Sequence, residues 1–192
     1  EASSYVLTLY RRPAVLVHVE PGGALRALEV PPVEGSARGS AQRDRGRLVG
    51  AYSVDCANIG QARLAVEPNE PRYRGAQVTW FWRAGGAWHV ELDGRVDLVE
   101  GVLDQLRFRA PLSFGEPYRA VGAPGVSDVT GPNDTHELFI RPPTAISGRY
   151  EYRLGGTYHP QPSRPLEVPD VVLEGAEPLE RFIVLPATAE GH

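Results

Sequence analysis

At 192 residues, with 42% hydrophobic and 23% charged residues, the chain has the composition of a globular protein long enough to bury a sizeable core. A formal net charge of −4 supplies no global field that would favour nucleic acid or an anionic membrane. No lysine occurs, so all 20 basic residues are arginine, which excludes Schiff-base chemistry, a P-loop lysine and pyridoxal-phosphate attachment.

Period-2 alternation dominates the chain and predicts strands. Tyr5-Val6-Leu7-Thr8-Leu9-Tyr10 reads as the first, stopped near Pro13. Ala14–Glu20 follows, with Val15, Val17 and Val19 on one face. After the turn Pro21-Gly22-Gly23, residues 24–30 return as a strand ending at Pro31-Pro32. Gly, Ser and Arg break the pattern over residues 34–47, which reads as a surface loop. Strands resume at 47–55, 61–67, 76–83 and 87–93. A single helical turn is the most that 97–106 allows, because Gly101 lies inside it. Leu106–Ala110 alternates cleanly, residues 114–133 are rich in Gly and Pro and read as irregular, and 137–141, 149–154, 168–173 and 181–185 close the chain as strands.

This pattern predicts an all-β protein, an antiparallel β-sandwich with minimal helix, built as one large domain or two small modules. Val99-Glu100-Gly101 with Arg107-Phe108 is echoed by Leu173-Glu174-Gly175 with Arg181-Phe182 at one constant offset. The echo suits a boundary near residues 94–104, drawn at 98/99. Residues 1–98 would be a sandwich module carrying the Gly/Arg-rich loop 34–47, and 99–192 a second sandwich-like module.

The most informative segment is Gln77–Asp93. Gly85-Gly86 between two alternating runs signals a hairpin, because primed turns need positive φ. A two-residue loop pairs Ala84 with Ala87, and a four-residue loop keeps that register. Opposed residues share a face. One face then carries Thr79, Phe81, Arg83, Trp88, Val90 and Leu92, while the other carries Val78, Trp80 and Trp82 opposite His89, Glu91 and Asp93. A three-residue loop would exchange the faces. Trp80, Trp82, His89 and Glu91 therefore form a candidate ligand-binding set, an aromatic platform with polar grips of the kind that packs against sugar rings. The competing expectation is that a second sheet or a neighbouring module covers both indoles.

Other constellations carry less. Cys56 is alone, which rules out an intrachain disulfide and a cysteine-based zinc site, and it reads as a small buried apolar residue. His18, His89, His136 and His159 could meet in space, and Asp134-Thr135-His136-Glu137 gathers three potential ligands, but neither has a metal spacing. Asp128, Asn133 and Asp134 lack the full ligand cadence of a calcium loop. Arg38, Arg43, Arg45 and Arg47 lie without interleaved aromatics and read as a solvated loop. No Gly-x-Ser-x-Gly elbow or His-Glu-x-x-His pair occurs. No catalytic residue, metal site or cofactor is expected. No apolar run reaches the length of a membrane span, so no membrane insertion by this segment is expected. The absence of methionine, at position 1 included, reads as a mature form or an excised piece of something longer.

Leu103-Asp104-Gln105-Leu106-Arg107-Phe108-Arg109-Ala110-Pro111, Glu116-Pro117-Tyr118 and Leu138-Phe139-Ile140-Arg141-Pro142 form one set of loose motifs in the second half. Pro165-Leu166-Glu167-Val168-Pro169-Asp170 and Arg181-Phe182-Ile183-Val184-Leu185-Pro186 complete it. With these the second half resembles β-rich modules of very long exported or membrane-anchored proteins of GC-rich bacteria. The resemblance implies an extracytoplasmic setting and a structural or interaction unit, and it supplies no catalytic residues. Three functions are consistent with the residues. The first is a non-enzymatic structural or protein-interaction module of a larger exported protein, with other modules of the same chain or a protein as partner. The second is a carbohydrate-binding module using Trp80, Trp82, His89 and Glu91. The third is a hydrolase or metal-dependent enzyme with a site built from distant loops.

Overall fold

The computed structural model describes residues 5–29, 46–123, 125–131, 135–160 and 165–185. Among them the fold is all-β, with fourteen strands and one 3-10 turn at Ile59–Gln61. The chain divides into two compact units, Glu1–Glu70 and Pro71–His192.

The first unit holds β1 (Tyr5–Arg11), β2 (Val15–Glu20), β3 (Leu25–Leu28), β4 (Arg47–Val54) and β5 (Arg63–Pro68). They form a three-stranded antiparallel sheet in the order β1-β4-β3 and an antiparallel β2-β5 pair. Among the described residues its buried apolar side chains are few and mostly small: Ala24, Leu25 and Ala51. Polar ties supplement them. Asn69 donates from its backbone N–H to the Ala14 carbonyl (2.9 Å) and from its side chain to the Pro13 carbonyl (2.6 Å), holding the end of β5 to the start of β2. Most of the loop expected at 34–47 lies outside the described residues, including Arg38, Arg43 and Arg45, although Arg47 opens β4. Cys56 departs from expectation by being exposed. The chain leaves β4 at Val54, and the Asp55 carboxylate accepts from the Ala57 N–H (3.0 Å) and the Asn58 amide (2.8 Å), so Cys56 sits on a turn.

The second unit is a sandwich of two sheets. Its strands are β6 (Arg72–Ala84), β7 (Ala87–Glu100), β8 (Leu106–Pro111), β9 (Phe114–Val121), β10 (Val126–Thr130), β11 (Thr135–Ile140), β12 (Arg149–Tyr158), β13 (Val172–Leu173) and β14 (Ala176–Val184). One sheet runs β14-β6-β7-β12-β9 and the other β10-β11-β8-β13. Every pairing is antiparallel except β14 with β6, which is parallel. Alternation supplies the core. Phe81, Val90, Leu92, Val96, Tyr152 and Leu154 point inward from the first sheet, and Leu106, Phe108, Leu138, Ile140 and Leu173 meet them from the second. The rings of Phe108 and Tyr152 touch edge to face, with centroids 5.1 Å apart.

Gln77 occupies this core at 1% exposure, where an unsatisfied amide would be costly. It donates to the Val171 carbonyl (2.7 Å) and accepts from the Tyr152 hydroxyl (3.4 Å). Tyr73 likewise donates to the Glu174 carbonyl, 2.5 Å away. These bonds tie β6 to the segment that carries β13.

Several expectations change. The seam expected at 98/99 falls inside the second unit, because β7 runs on to Glu100 and pairs with β12 along its length, and the division into units lies at Glu70/Pro71. No helical turn forms at 97–106. Val96 and Leu98 continue the strand alternation, and the chain turns at Gly101, whose φ is +73°. Residues 114–130 are largely two strands, β9 and β10, because Pro117 lies on an edge strand where no neighbour needs its missing N–H. The strand expected at 168–173 shrinks to Val172–Leu173, and the last strand begins at Ala176 rather than 181. The internal echo has no structural counterpart: Phe108 is fully buried in one sheet, whereas its echo Phe182 is exposed at the edge of the other.

Candidate functional site

The outer face of the five-stranded sheet, away from the core, holds the residues singled out in the Gln77–Asp93 hairpin. Gly85 and Gly86 have φ of +58° and +83°, both within the left-handed region that a two-residue primed turn requires. The turn pairs Ala84 with Ala87, and from there Trp82 lies opposite His89, Trp80 opposite Glu91 and Val78 opposite Asp93. The core face is the expected one, with Phe81 stacked on Trp88 (centroids 4.7 Å apart) and edge-on to Tyr158 (5.3 Å).

On the outer face the two indoles differ. Trp80 is 43% exposed and open to solvent. Trp82 is half-buried, stacked on the His89 ring at 5.5 Å. No strand of the second unit's other sheet covers them, since that sheet packs on the opposite face. The polar grips are also engaged. Arg153 of β12 donates from Nε to Asp93 (2.6 Å) and lies 3.5 Å from Glu91, and both carboxylates are about one-third exposed. Two rungs along, beyond Glu151 opposite Arg95, Arg149 donates to Asp97 at 2.7 Å, which holds the Asp97 carboxyl below its ordinary range. Glu91 and Asp93 are therefore rungs of an arginine–carboxylate ladder between β7 and β12.

Three contributors were not legible from the sequence. Arg153 reads only as an outward residue of its strand until β12 is placed beside β7. Phe182 and Val184 join the face because β14 pairs in parallel with β6, setting Phe182 beside Val78 and Val184 beside Trp80. Their separation in sequence from β6 leaves no local signal. Phe182 is 57% exposed, so Trp80, Val78, Phe182 and Val184 form an apolar strip along β6 and β14, bordered by the charged ladder.

The histidines do not converge as one centre. His18 lies 3.9 Å from Glu67 in the first unit. His89 stacks on Trp82, and His159 lies 3.0 Å from the Thr157 hydroxyl. His136 Nδ1 is 3.0 Å from Asp128, whose other oxygen accepts from the Tyr118 hydroxyl at 3.2 Å. This last trio links β9 of one sheet to β10 and β11 of the other, so its geometry serves to tie the sheets. Among the described residues no group of three or more His, Cys, Asp or Glu side chains could hold a metal ion. Asn133 and Asp134 lie outside the described residues. No helix among them is long and apolar enough to cross a membrane.

No protein-family model matches the chain, and no curated protein matches it.

Proposed function

We propose that this chain is a non-enzymatic interaction module of a larger exported protein, and that it engages a protein partner through the apolar strip on the outer face of the five-stranded sheet. The observation that carries this reading is Trp80, a 43% exposed indole aligned with Val184 on one side and the Glu91–Arg153 ladder on the other. Large aromatic residues inside a polar rim are the usual anchors of protein interfaces. Trp80 with Phe182 supplies the apolar centre, and Asp93, Arg153 and Glu91 supply the rim. The exported setting draws support from the resemblance of the second half.

A second reading, a glycan-binding face, draws on the same open indole. Against it stand the engagement of Trp82 by His89 and of Glu91 and Asp93 by Arg153, which leaves one free ring and few free hydroxyl acceptors.

Photo-crosslinking separates the two. A photoreactive phenylalanine analogue at position 80 should yield discrete protein adducts in native extract, and the same group at the exposed Glu151 should not. Equal, diffuse labelling from both positions counts against a docking face. A shift of tryptophan emission on adding members of a broad glycan panel, abolished by Trp80→Ala, would transfer the face to the second reading.

A further inference from the structure

We propose that the notch over Gly155, on the outer face of the five-stranded sheet, receives an acidic side chain of the docked protein partner, held between Arg119 and Glu91. This rests on the reading of the Trp80 strip as a protein-docking face and names the chemistry of what docks beside it.

A glycine inside a strand weakens it, and so needs a cause. For the other strand glycines the cause is crowding where a Cβ would stand. That Cβ would meet the Tyr52 hydroxyl at 2.8 Å from Gly50, Leu179 at 2.8 Å from Gly75 and the Tyr152 ring at 2.3 Å from Gly94. From Gly115 it would meet the His159 ring at 3.1 Å, and from Gly156 the Phe114 ring at 2.6 Å. Gly155 has no such neighbour. Its nearest contacts would be the Val90 carbonyl oxygen at 3.8 Å, with the Arg119 Cβ and a Glu91 carboxylate oxygen at 3.9 Å, all ordinary van der Waals distances. Its φ lies outside the left-handed region as well. The irregular pairing of β12 with β9 does not demand it either, because the extra residues lie on β9: the step from Gly155 to Thr157 is matched by the longer one from Arg119 to Gly115. Packing and backbone leave the missing side chain unaccounted for, and a group seated from outside accounts for it.

The notch has two unlike walls. Trp80, Glu91, Gly155 and Arg119 form one row across β6, β7, β12 and β9 on the outer face. At about 4.8 Å per strand the row runs roughly 14 Å between its end backbones, a span that one extended segment of about five residues covers. On one side Glu91 turns Oε1 toward Arg153, 3.5 Å away, and Oε2 toward Gly155, where it can accept from an incoming N–H. On the other side stands Arg119. The guanidiniums nearby are committed: Arg153 to Asp93 and Glu91, and Arg149, Arg95 and Arg74 around Asp97. Arg119 is exposed and has no hydrogen-bond or ion-pair partner among the described residues. Water serves an exposed guanidinium on an ordinary surface, but one beside a bare backbone floor complements a carboxylate resting on that floor. An acidic residue meets both walls, its carboxylate on Arg119 and its own N–H on Glu91.

Random peptides displayed on phage and selected on the immobilised 192-residue chain test this. The expected binders carry Asp or Glu beside an apolar anchor. Arg119→Glu should weaken them about tenfold or more, and Gly155→Leu, which fills the notch, should do the same. Arg119→Glu, at an exposed edge position, carries the test if Gly155→Leu misfolds. Gly155→Ala should unfold at a denaturant midpoint no lower than the parent chain, whereas Gly156→Ala, crowded by Phe114, should unfold earlier. A lowered midpoint for Gly155→Ala assigns the glycine to the fold and overturns the proposal. Binders that require Trp80 but ignore Arg119 and Gly155 overturn it and leave the docking face standing. Binders indifferent to all three positions overturn the face and the notch together, as does a selection that yields none. Retention of oligogalacturonate by the parent chain but not by Arg119→Glu gives the notch to an acidic glycan and overturns the proposal.

Discussion

The indole of Trp82 lies over the imidazole of His89, with ring centroids 5.5 Å apart and planes 23° from parallel. The two residues are directly opposed across the β6–β7 hairpin, so the stack follows from the register that Gly85-Gly86 imposes. It divides the labour of the two tryptophans: one is shielded by its neighbour, the other open. His89→Ala should therefore raise acrylamide quenching of Trp82 emission, measured in a background where Trp80 and Trp88 are both replaced by Phe so that Trp82 is the sole emitter. Unchanged quenching would show that the ring contact does not shield the indole.

Adjacent residues on β6 should respond in opposite ways to truncation. Phe81 is buried between Trp88 and Tyr158, so Phe81→Ala should cost about 3–5 kcal/mol, read from denaturant unfolding. Trp80→Ala, on the exposed face, should change stability by no more than about 0.5 kcal/mol. A large loss at position 80 would mean that the indole is a structural contact.

Gly94 lies opposite Tyr152, and a Cβ added there would stand 2.3 Å from the phenol ring. The glycine makes room for the ring whose hydroxyl satisfies Gln77. Gly94→Ala should destabilise the unit by about 1–3 kcal/mol through overpacking. In a Tyr152→Leu background the penalty should shrink, and a double-mutant cycle measures that coupling. Strict additivity would contradict the contact.

Burial raises the phenols of Tyr73, Tyr118, Tyr150 and Tyr152 above the ordinary range, with nearby Glu174 adding to the effect at Tyr73 and Asp128 at Tyr118. The folded state holds these protons more tightly than the unfolded chain. Their contribution to stability is full below about pH 10 and declines as pH rises beyond it. Spectrophotometric titration should show these four tyrosines ionising late, together with loss of the fold. Reversible ionisation of all tyrosines near pH 10 in the folded protein would refute this.

At the acid end, the hydrogen bond from Arg149, aided by the charges of Arg149, Arg95 and Arg74, lowers the Asp97 carboxyl. Its stabilising contribution is present above the ordinary carboxylate value near 4 and is lost as pH falls through the lower folded value. The pair is solvent-exposed, so the effect should fade with added salt. Arg149→Gln should move the Asp97 titration, followed by NMR, upward toward the ordinary value. No movement would assign the shift elsewhere.

Much of the strand pattern was legible because side chains alternate every residue and glycines mark the turns. The β6–β7 register was legible for the same local reason: the spacing around Gly85-Gly86 is enough to assign Trp80, Trp82, His89 and Glu91 to one face. The strand Phe114–Val121 was missed because a proline that signals a break in a central strand is harmless on an edge. Cys56 was misplaced because residue type carries a burial tendency, and the Asp55 turn overrides it.

The sequence by itself determined the β class, the turn at Gly85-Gly86 and the sorting of that hairpin into an apolar and a mixed face. Each is set by residues close together in the chain. Tertiary structure alone decided which strands became neighbours. It brought Arg153 onto Glu91 and Asp93, laid Phe182 and Val184 beside Trp80, and ended the core before Ile183. Those pairings join segments tens of residues apart, where the free energy comes from burying one particular set of faces and no local pattern encodes the choice.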